Sequence, residues 1–247
     1  MTGTLHGVGL GPGDPELMTL RAWRLISGAE VIAYPAPDSG ESFARAIAAD
    51  AIPEDAEEIP IVIPMRVERF PAQTVYDQAA ETIAARLAEG RDVVVLCEGD
   101  PFFYGSFMYL FERLARAHPV EITPGVTSLT ACAAAARRPL CARNEPIAIL
   151  PGPLSDEALR ARLGGARREG GAGGQGAAAI MKVGRHLPRL RAVIEDLGLT
   201  DRAHYVAHAT LPTETAVPLA QAPETAPYFS MILVAGSDPY AQGAPNG

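Results

Sequence analysis

The 247-residue chain is 48% hydrophobic and carries 29 acidic against 21 basic residues, a formal charge of −8. That length accommodates one large domain or two ordinary ones with well-filled cores, and the acidic balance argues against a nucleic-acid binder, which needs a net basic face. No apolar run approaches the roughly 18 residues of a membrane span, and Met1 leads into a strand without a basic leader, so a soluble cytoplasmic protein with no membrane partner is expected.

The first elements read as a βαβ unit: "TLHGVGLG" as a strand, "PELMTLRAWRLISGA" as a helix with Leu17, Leu20, Trp23 and Leu25 on or near one face, and "EVIAYP" as a second strand. "TVYDQAAETIAARLAEG" follows as an amphipathic helix closed by Gly90, then "DVVVLCEGDP" as a buried parallel strand and "FYGSFMYLFERLARA" as a helix. "VEITPG" is a short strand and "VTSLTACAAAARR" a small-residue helix that must pack closely. Beyond it, "PIAILPG", "AAAIMKV", "AHYVAHAT" and "YFSMILVAG" are strand candidates and "HLPRLRAVIEDLG" a helix. The glycine-rich stretch 164–178 reads as a surface loop, and "LPTETAVPLAQAPETAP" as an extended loop with room for a hairpin. This alternation predicts two α/β domains, 1–121 and 122–247, with ligands at the carboxyl ends of the strands.

Cys97, Cys132 and Cys141 fit no metal-ligand spacing and read as reduced core thiols. The five histidines are scattered. His204 and His208 stand four apart on a predicted strand, which suits a strand face better than chelation, so no metal is expected.

Glycines at 7, 9, 11 and 13 make the first strand-to-helix turn unusually bare. A dinucleotide fingerprint fails on spacing: counted from Gly7 the third glycine is Pro12, and counted from Gly9 it is Asp14. A P-loop fails because no Gly-Lys-Ser or Gly-Lys-Thr follows. Asp14 reads as the N-cap of the following helix. The turn "EGDPFFYGS" (98–106) repeats the first turn's Gly-Asp-Pro after another buried strand, and "TPGVTS" follows at 123–128.

Together with "PGVTSLTACAAAARRPLCAR", "IMKVGRHL", "YVAHATLPTE" and "FSMILVAG" in this order, the paired turns resemble the tetrapyrrole methylase family over nearly the whole chain. The resemblance implies two α/β domains with a cleft between them, S-adenosylmethionine as methyl donor, and a homodimer. Within the family, "CEGDPFFYGSFMYL" is similar to the branch that methylates carbon-20 of precorrin-2 on the way to cobalamin. By resemblance, Pro12, Glu98, Gly99, Asp100, Ser106, Thr127 and Ser128 line the donor site, with Met181, Ala209 and Met231 on the adenine side. For the last three, ordinary core packing stays open.

The reaction is an in-line displacement that mainly needs alignment and exclusion of water. Asp100, Glu98 and Tyr104 crowd one strand end and are the acid–base candidates. Arginine forks suit the substrate's carboxylates; Arg137, Arg138 and Arg143 are the leading candidates, with Lys182 beside the donor strand and Arg21, Arg66 and Arg69 as further ones. Two other readings stay open: a cobalt-containing substrate or another ring position, and a nucleotide-binding module without catalysis.

Overall fold

The computed structural model describes residues 2–63, 69–164 and 176–236, with only the backbone for 69–72. Contacts divide the chain into two units, Met1–Thr127 and Ser128–Gly247.

The first unit holds strands β1 (Leu5–Gly9), β2 (Val31–Pro37), β3 (Glu57–Ile63), β4 (Val93–Cys97) and β5 (Val120–Thr123) in one parallel sheet of order β3-β2-β4-β1-β5. β5 pairs with β1 through Thr123, so this unit runs past the boundary read from the sequence at 121/122. Both faces of the sheet are covered, and the strands read as apolar runs for that reason. α1 (Leu20–Ser27) and α2 (Phe43–Ile47) pack on one face through Ala22, Ile26, Ala44 and Ile47. α3 (Arg69–Ala88) and α4 (Phe107–Leu114) cover the other through Tyr76, Ile83, Leu87, Phe107 and Leu110.

The helix expected over 15–29 is two pieces. A 3-10 turn at Pro15–Leu17 is capped by Asp14, whose carboxylate accepts from Glu16 N at 2.9 Å. α1 then restarts at Leu20, with Thr19 Oγ1 accepting from Ala22 N. The restart rotates the helix so that small Ala22 and Ile26 meet the sheet, while Leu20 is 74% and Trp23 40% exposed. Of the apolar face read from the sequence, Leu17, Leu20 and Trp23 therefore point outward, while Leu25 packs partly against the core.

The second unit has β6 (Ile147–Pro151), β7 (Ala177–Met181), β8 (Ala203–Ala207), β9 (Thr215–Pro218) and β10 (Ser230–Val234) in the order β6-β7-β10-β8-β9. β10 runs antiparallel to both neighbours, β7 and β8, and the proline-rich segment supplies β9 as a hairpin partner of β8. α6 (Asp156–Gly164) and α7 (Leu187–Asp196) pack one face through Leu159, Leu163, Leu190 and Ile194. The small-residue helix α5 (Ser128–Ala135) lies against β8, β9 and β10, where alanines permit close approach. The predicted loop at 164–178 falls mostly on residues outside the described ones.

Cys97 and Cys132 are buried, and burial pushes both thiols up, Cys132 to about 12. Cys141, expected in a core, is exposed. It lies in the turn between α5 and β6, where no apolar layer covers it.

Candidate functional site

In the first unit, the chain leaves β1 for α1 on one face of the sheet and leaves adjacent β4 for α4 on the other. Departures to opposite faces make the carboxyl ends of these two strands a topological switch point, the place where open α/β sheets bind ligands. Both Gly-Asp-Pro turns stand there. They are clasped by a reciprocal backbone pair, Gly11 N donating to Gly99 O at 3.2 Å and Gly99 N to Gly11 O at 2.7 Å. Gly11 and Gly99 are both left-handed, with φ of 86° and 66°, a region glycine enters without steric cost. A Cβ at Gly99 would face open space, so that glycine's exposed side is available to a ligand.

The third segment closes against this clasp. Gly125 lies so near that a Cβ on it would stand 2.0 Å from Gly99 O, and one on Gly9 would stand 2.6 Å from Gly125 N. Asp100 ties the segments together. Its Oδ1 accepts from Phe102 N at 2.9 Å and Phe103 N at 3.1 Å, and its Oδ2 from Gly125 N at 3.0 Å. A carboxylate holding three backbone amides is a structural brace, so Asp100, a proton-transfer candidate from sequence, is placed here as the residue that fixes the turn.

Glu98 differs. Burial pushes its carboxyl upward, and the one opposing influence is its own backbone amide. A buried carboxyl whose neutral form is favoured is the kind of group that general acid–base chemistry uses. The sign of its pH dependence follows: a raised carboxyl favours folding at low pH and loses that contribution as pH rises above the usual carboxylate range. Glu98→Gln is therefore expected to match the wild type in stability at about pH 4 and exceed it at about pH 8. Urea midpoints at the two pH values check this, and a variant less stable at both would show the carboxylate is held by a partner.

Tyr104 is left-handed at φ 58°, a strained conformation for an aromatic residue, and 43% exposed, with its ring edge-on to Phe103. Pro12 lies between left-handed Gly11 and Gly13 at the tip of the first turn. Ser106 stands at the N-cap of α4 without capping it; its hydroxyl instead meets that of buried Tyr76, which burial holds at about 12. Tyr76 is a residue of this site that sequence reading missed, because on its helix it is one more apolar position. Thr127 ends the first unit and Ser128 opens α5 in the second.

In the second unit, the carboxyl ends of β7 and β8 and the start of β10 meet at one sheet edge. Met231 pairs with Met181 and Val206, and Met181, Ala209 and Met231 are all buried. Just beyond, Lys182, His208 and Thr210 are all left-handed, at φ 56°, 51° and 74°. Three such non-glycine residues at one edge mark backbone held by its surroundings. His208 N donates to Phe229 O, its Nδ1 lies 3.1 Å from Thr213 Oγ1, and Thr210 N donates to Glu214 Oε2. His208 thus lies past the strand, whereas the sequence reading kept it on the strand face with His204.

Arg137, Arg138 and Arg143 are not at that edge. Arg138 lines a crevice with Ala178, His204, Val234 and Ala235, at the beginnings of β7 and β8 and the end of β10. That is the opposite end of the sheet from Ala209, about 15 Å away by strand rise. Arg143 lies in the turn that leads into β6, also at that end. Arg21 pairs with Glu121 at 2.9 Å, and the side chains of Arg66 and Arg69 lie outside the described residues.

Arg137 ends α5 in a Schellman motif: Arg138 N donates to Ala133 O and Arg137 N to Ala134 O, with Arg137 left-handed at φ 51° where glycine is usual. Arg137→Gly is expected to stabilise the protein by about 1 kcal/mol. That corresponds to a rise of about 2–4 °C in Tm, and a fall would show that the arginine side chain contributes more than its backbone costs.

Among the described residues, no three His, Cys, Asp or Glu side chains gather closely enough to hold a metal ion, and no helix is long and apolar enough to cross a membrane.

Paired glycine turns at a switch point, followed by a second α/β unit, define a class, and the family model of Tetrapyrrole (Corrin/Porphyrin) Methylases matches residues 4–223: the chain belongs to this family. Among curated relatives, the chain is 39% identical over 243 residues to a precorrin-2 C(20)-methyltransferase of a Sinorhizobium species, covering 95% of this chain and 96% of that protein. It is 29% identical to the cobalt-precorrin-2 C(20)-methyltransferase of Salmonella typhimurium, over 98% and 100% of the two chains. Among solved structures, a uroporphyrin III C-methyltransferase from Thermus thermophilus matches with a TM-score of 0.66 at 26% identity, over 94% of this chain and 97% of that one.

Proposed function

We propose that this protein is an S-adenosylmethionine-dependent methyltransferase that methylates carbon-20 of precorrin-2, giving precorrin-3A in cobalamin biosynthesis. One observation carries the reading: the two Gly-Asp-Pro turns are clasped at the switch point of a parallel sheet in a chain 39% identical to a protein of that name. Identity to the relative named for the cobalt-containing ring is lower, at 29%, so metal-free precorrin-2 is the substrate we favour.

The donor fits the residues present. An amino-acid zwitterion, a ribose and an adenine need backbone polar groups and small side chains, and the turns offer Pro12, Gly99 and Ser106 beside the Thr127–Ser128 segment, with Met181, Ala209 and Met231 in the second unit. Bound S-adenosylmethionine supplies an electrophilic methyl on a sulfonium, whose charge disperses as the methyl leaves. The protein's own work is then positioning, which is worth several kcal/mol when water is excluded. Asp100 holds the turn, Glu98 exchanges the proton lost from the methylated ring system, Tyr104 borders the same turn, and Lys182 meets a substrate carboxylate. This chemistry calls for no metal, because the sulfonium itself makes sulfur a leaving group.

We place the enzyme in the cytoplasm as a homodimer without nucleic-acid or membrane partners. Exposed Phe102, Met108 and Phe111 on and beside α4 support an interface between copies.

Anaerobic incubation with labelled S-adenosylmethionine and metal-free precorrin-2, followed by mass and NMR analysis, tests the function. Label at carbon-20 is expected. Label at another carbon, or none on precorrin-2 while cobalt-factor II accepts it, would overturn the assignment.

A further inference from the structure

At the end of the second sheet remote from Met181, Ala209 and Met231, α5, β9 and the start of β8 enclose a half-open cavity of about 430 Å3. Arg137, Arg138, His204 and Asp201 bring its polar groups, while Ala216 and Pro218 of β9 form an apolar wall. The adjoining crevice shares Arg138 and His204 and adds Arg202, whose Nε donates to Ala235 O. Volumes of this order hold small metabolites and exceed what a bare inorganic ion needs.

The polar groups are sorted by charge. Arg137 and Arg138 are adjacent in the chain, and planar guanidinium forks suit a phosphate or carboxylate. Asp201 accepts only, so beside an anion it is favourable only where the ligand brings a donor such as a hydroxyl. The carboxyl end of α5 disfavours an anion by its dipole, but two of its last carbonyls, Ala133 O and Ala134 O, are already taken by Arg138 N and Arg137 N. Glu145 is the acidic side chain felt by Arg202, and burial, with the nearby charge of Arg138, lowers the His204 imidazole below its ordinary value. Arg137 occupies a left-handed position at the cavity rim where glycine would be unstrained.

We propose that this cavity binds a small hydroxylated phosphate ester, the guanidinium groups of Arg137 and Arg138 taking the phosphate and Asp201 accepting from the hydroxyls. The cavity lies at the end of the second sheet opposite Met181, Ala209 and Met231, and the proposal does not depend on the assignment of the methyl-donor residues.

Ribose 5-phosphate is the probe, with inorganic phosphate and ribose as its two halves, followed by titration calorimetry on the full chain. Saturable binding with Kd below about 1 mM is expected for ribose 5-phosphate, and weaker binding for either half. Arg137→Gly should weaken it about tenfold. Because that substitution suits the backbone, an unchanged or raised Tm separates lost binding from lost folding. Asp201→Asn should weaken ribose 5-phosphate binding and leave phosphate binding equal or tighter. Saturating S-adenosylhomocysteine should leave the binding unchanged. Absence of binding, equal affinity in Arg137→Gly, or displacement by S-adenosylhomocysteine would each overturn the proposal, the last by assigning the probe to the donor site. Methyl transfer to precorrin-2 is measured separately, so failure of either reading leaves the other standing.

Discussion

Gly125→Ala is expected to destabilise the first unit by about 3 kcal/mol or more, at the upper end of overpacking effects. The added methyl would stand 2.0 Å from Gly99 O and 2.9 Å from Gly9 Cα and Gly9 C. All three neighbours are backbone atoms of turns already clasped to each other, so no flexible side chain can swing aside. The Gly11–Gly99 pair must separate or the 123–127 segment must lift away. Gly40→Ala is the control: its φ is 92°, but nothing lies within 4 Å of the added methyl, so only the left-handed backbone penalty of about 1 kcal/mol remains. Urea unfolding of both variants checks the difference. Similar losses would mean the three segments are not interlocked as described. S-adenosylhomocysteine binding should fall with Gly125→Ala and persist with Gly40→Ala.

The second large effect is at Asp100. Asp100→Ala removes the acceptor of three backbone amides, and hydrogen bonds to a charged acceptor contribute about 1.5–3 kcal/mol each when buried. Asp100 is partly exposed and water replaces some of them, so a total loss of about 3 kcal/mol is expected. Asp100→Asn is the informative change. The amide oxygen can still accept from Phe102 N and Phe103 N, but its NH2 then faces Gly125 N, donor against donor, and about 2 kcal/mol should be lost. A brace predicts that whatever methyl transfer survives in Asp100→Asn keeps the wild-type shape of its pH–rate profile. If Asp100 were the base, the profile would lose a limb.

Several elements were open to sequence reading because their determinants are local. The apolar run 93–97 ends in a Gly-Asp-Pro turn, and such a run can lie only inside a sheet covered on both faces. Gly90, left-handed at φ 85°, follows α3 as a helix-closing glycine does. β3 was missed because Pro60 interrupts it; the interruption is tolerated since β3 is an edge strand and needs no second ladder. α2 was missed because its five residues are too few to show a helical period. The break at Thr19 follows from a side-chain cap competing within what reads as one continuous helix.

The candidate site divides the same way. Sequence by itself determined the family, the two paired turns and the residues bordering them, since glycine, proline and aspartate at fixed spacing impose their backbone geometry locally. Only the tertiary structure decided that Asp100 is spent on Gly125, that Tyr76 meets Ser106, and that Arg137 and Arg138 stand a strand's length from Met181 and Ala209. The physical reason is distance along the chain: a carboxylate's role depends on which donors the fold carries to it, and an arginine's on which end of a sheet its helix reaches. No short stretch of sequence encodes either.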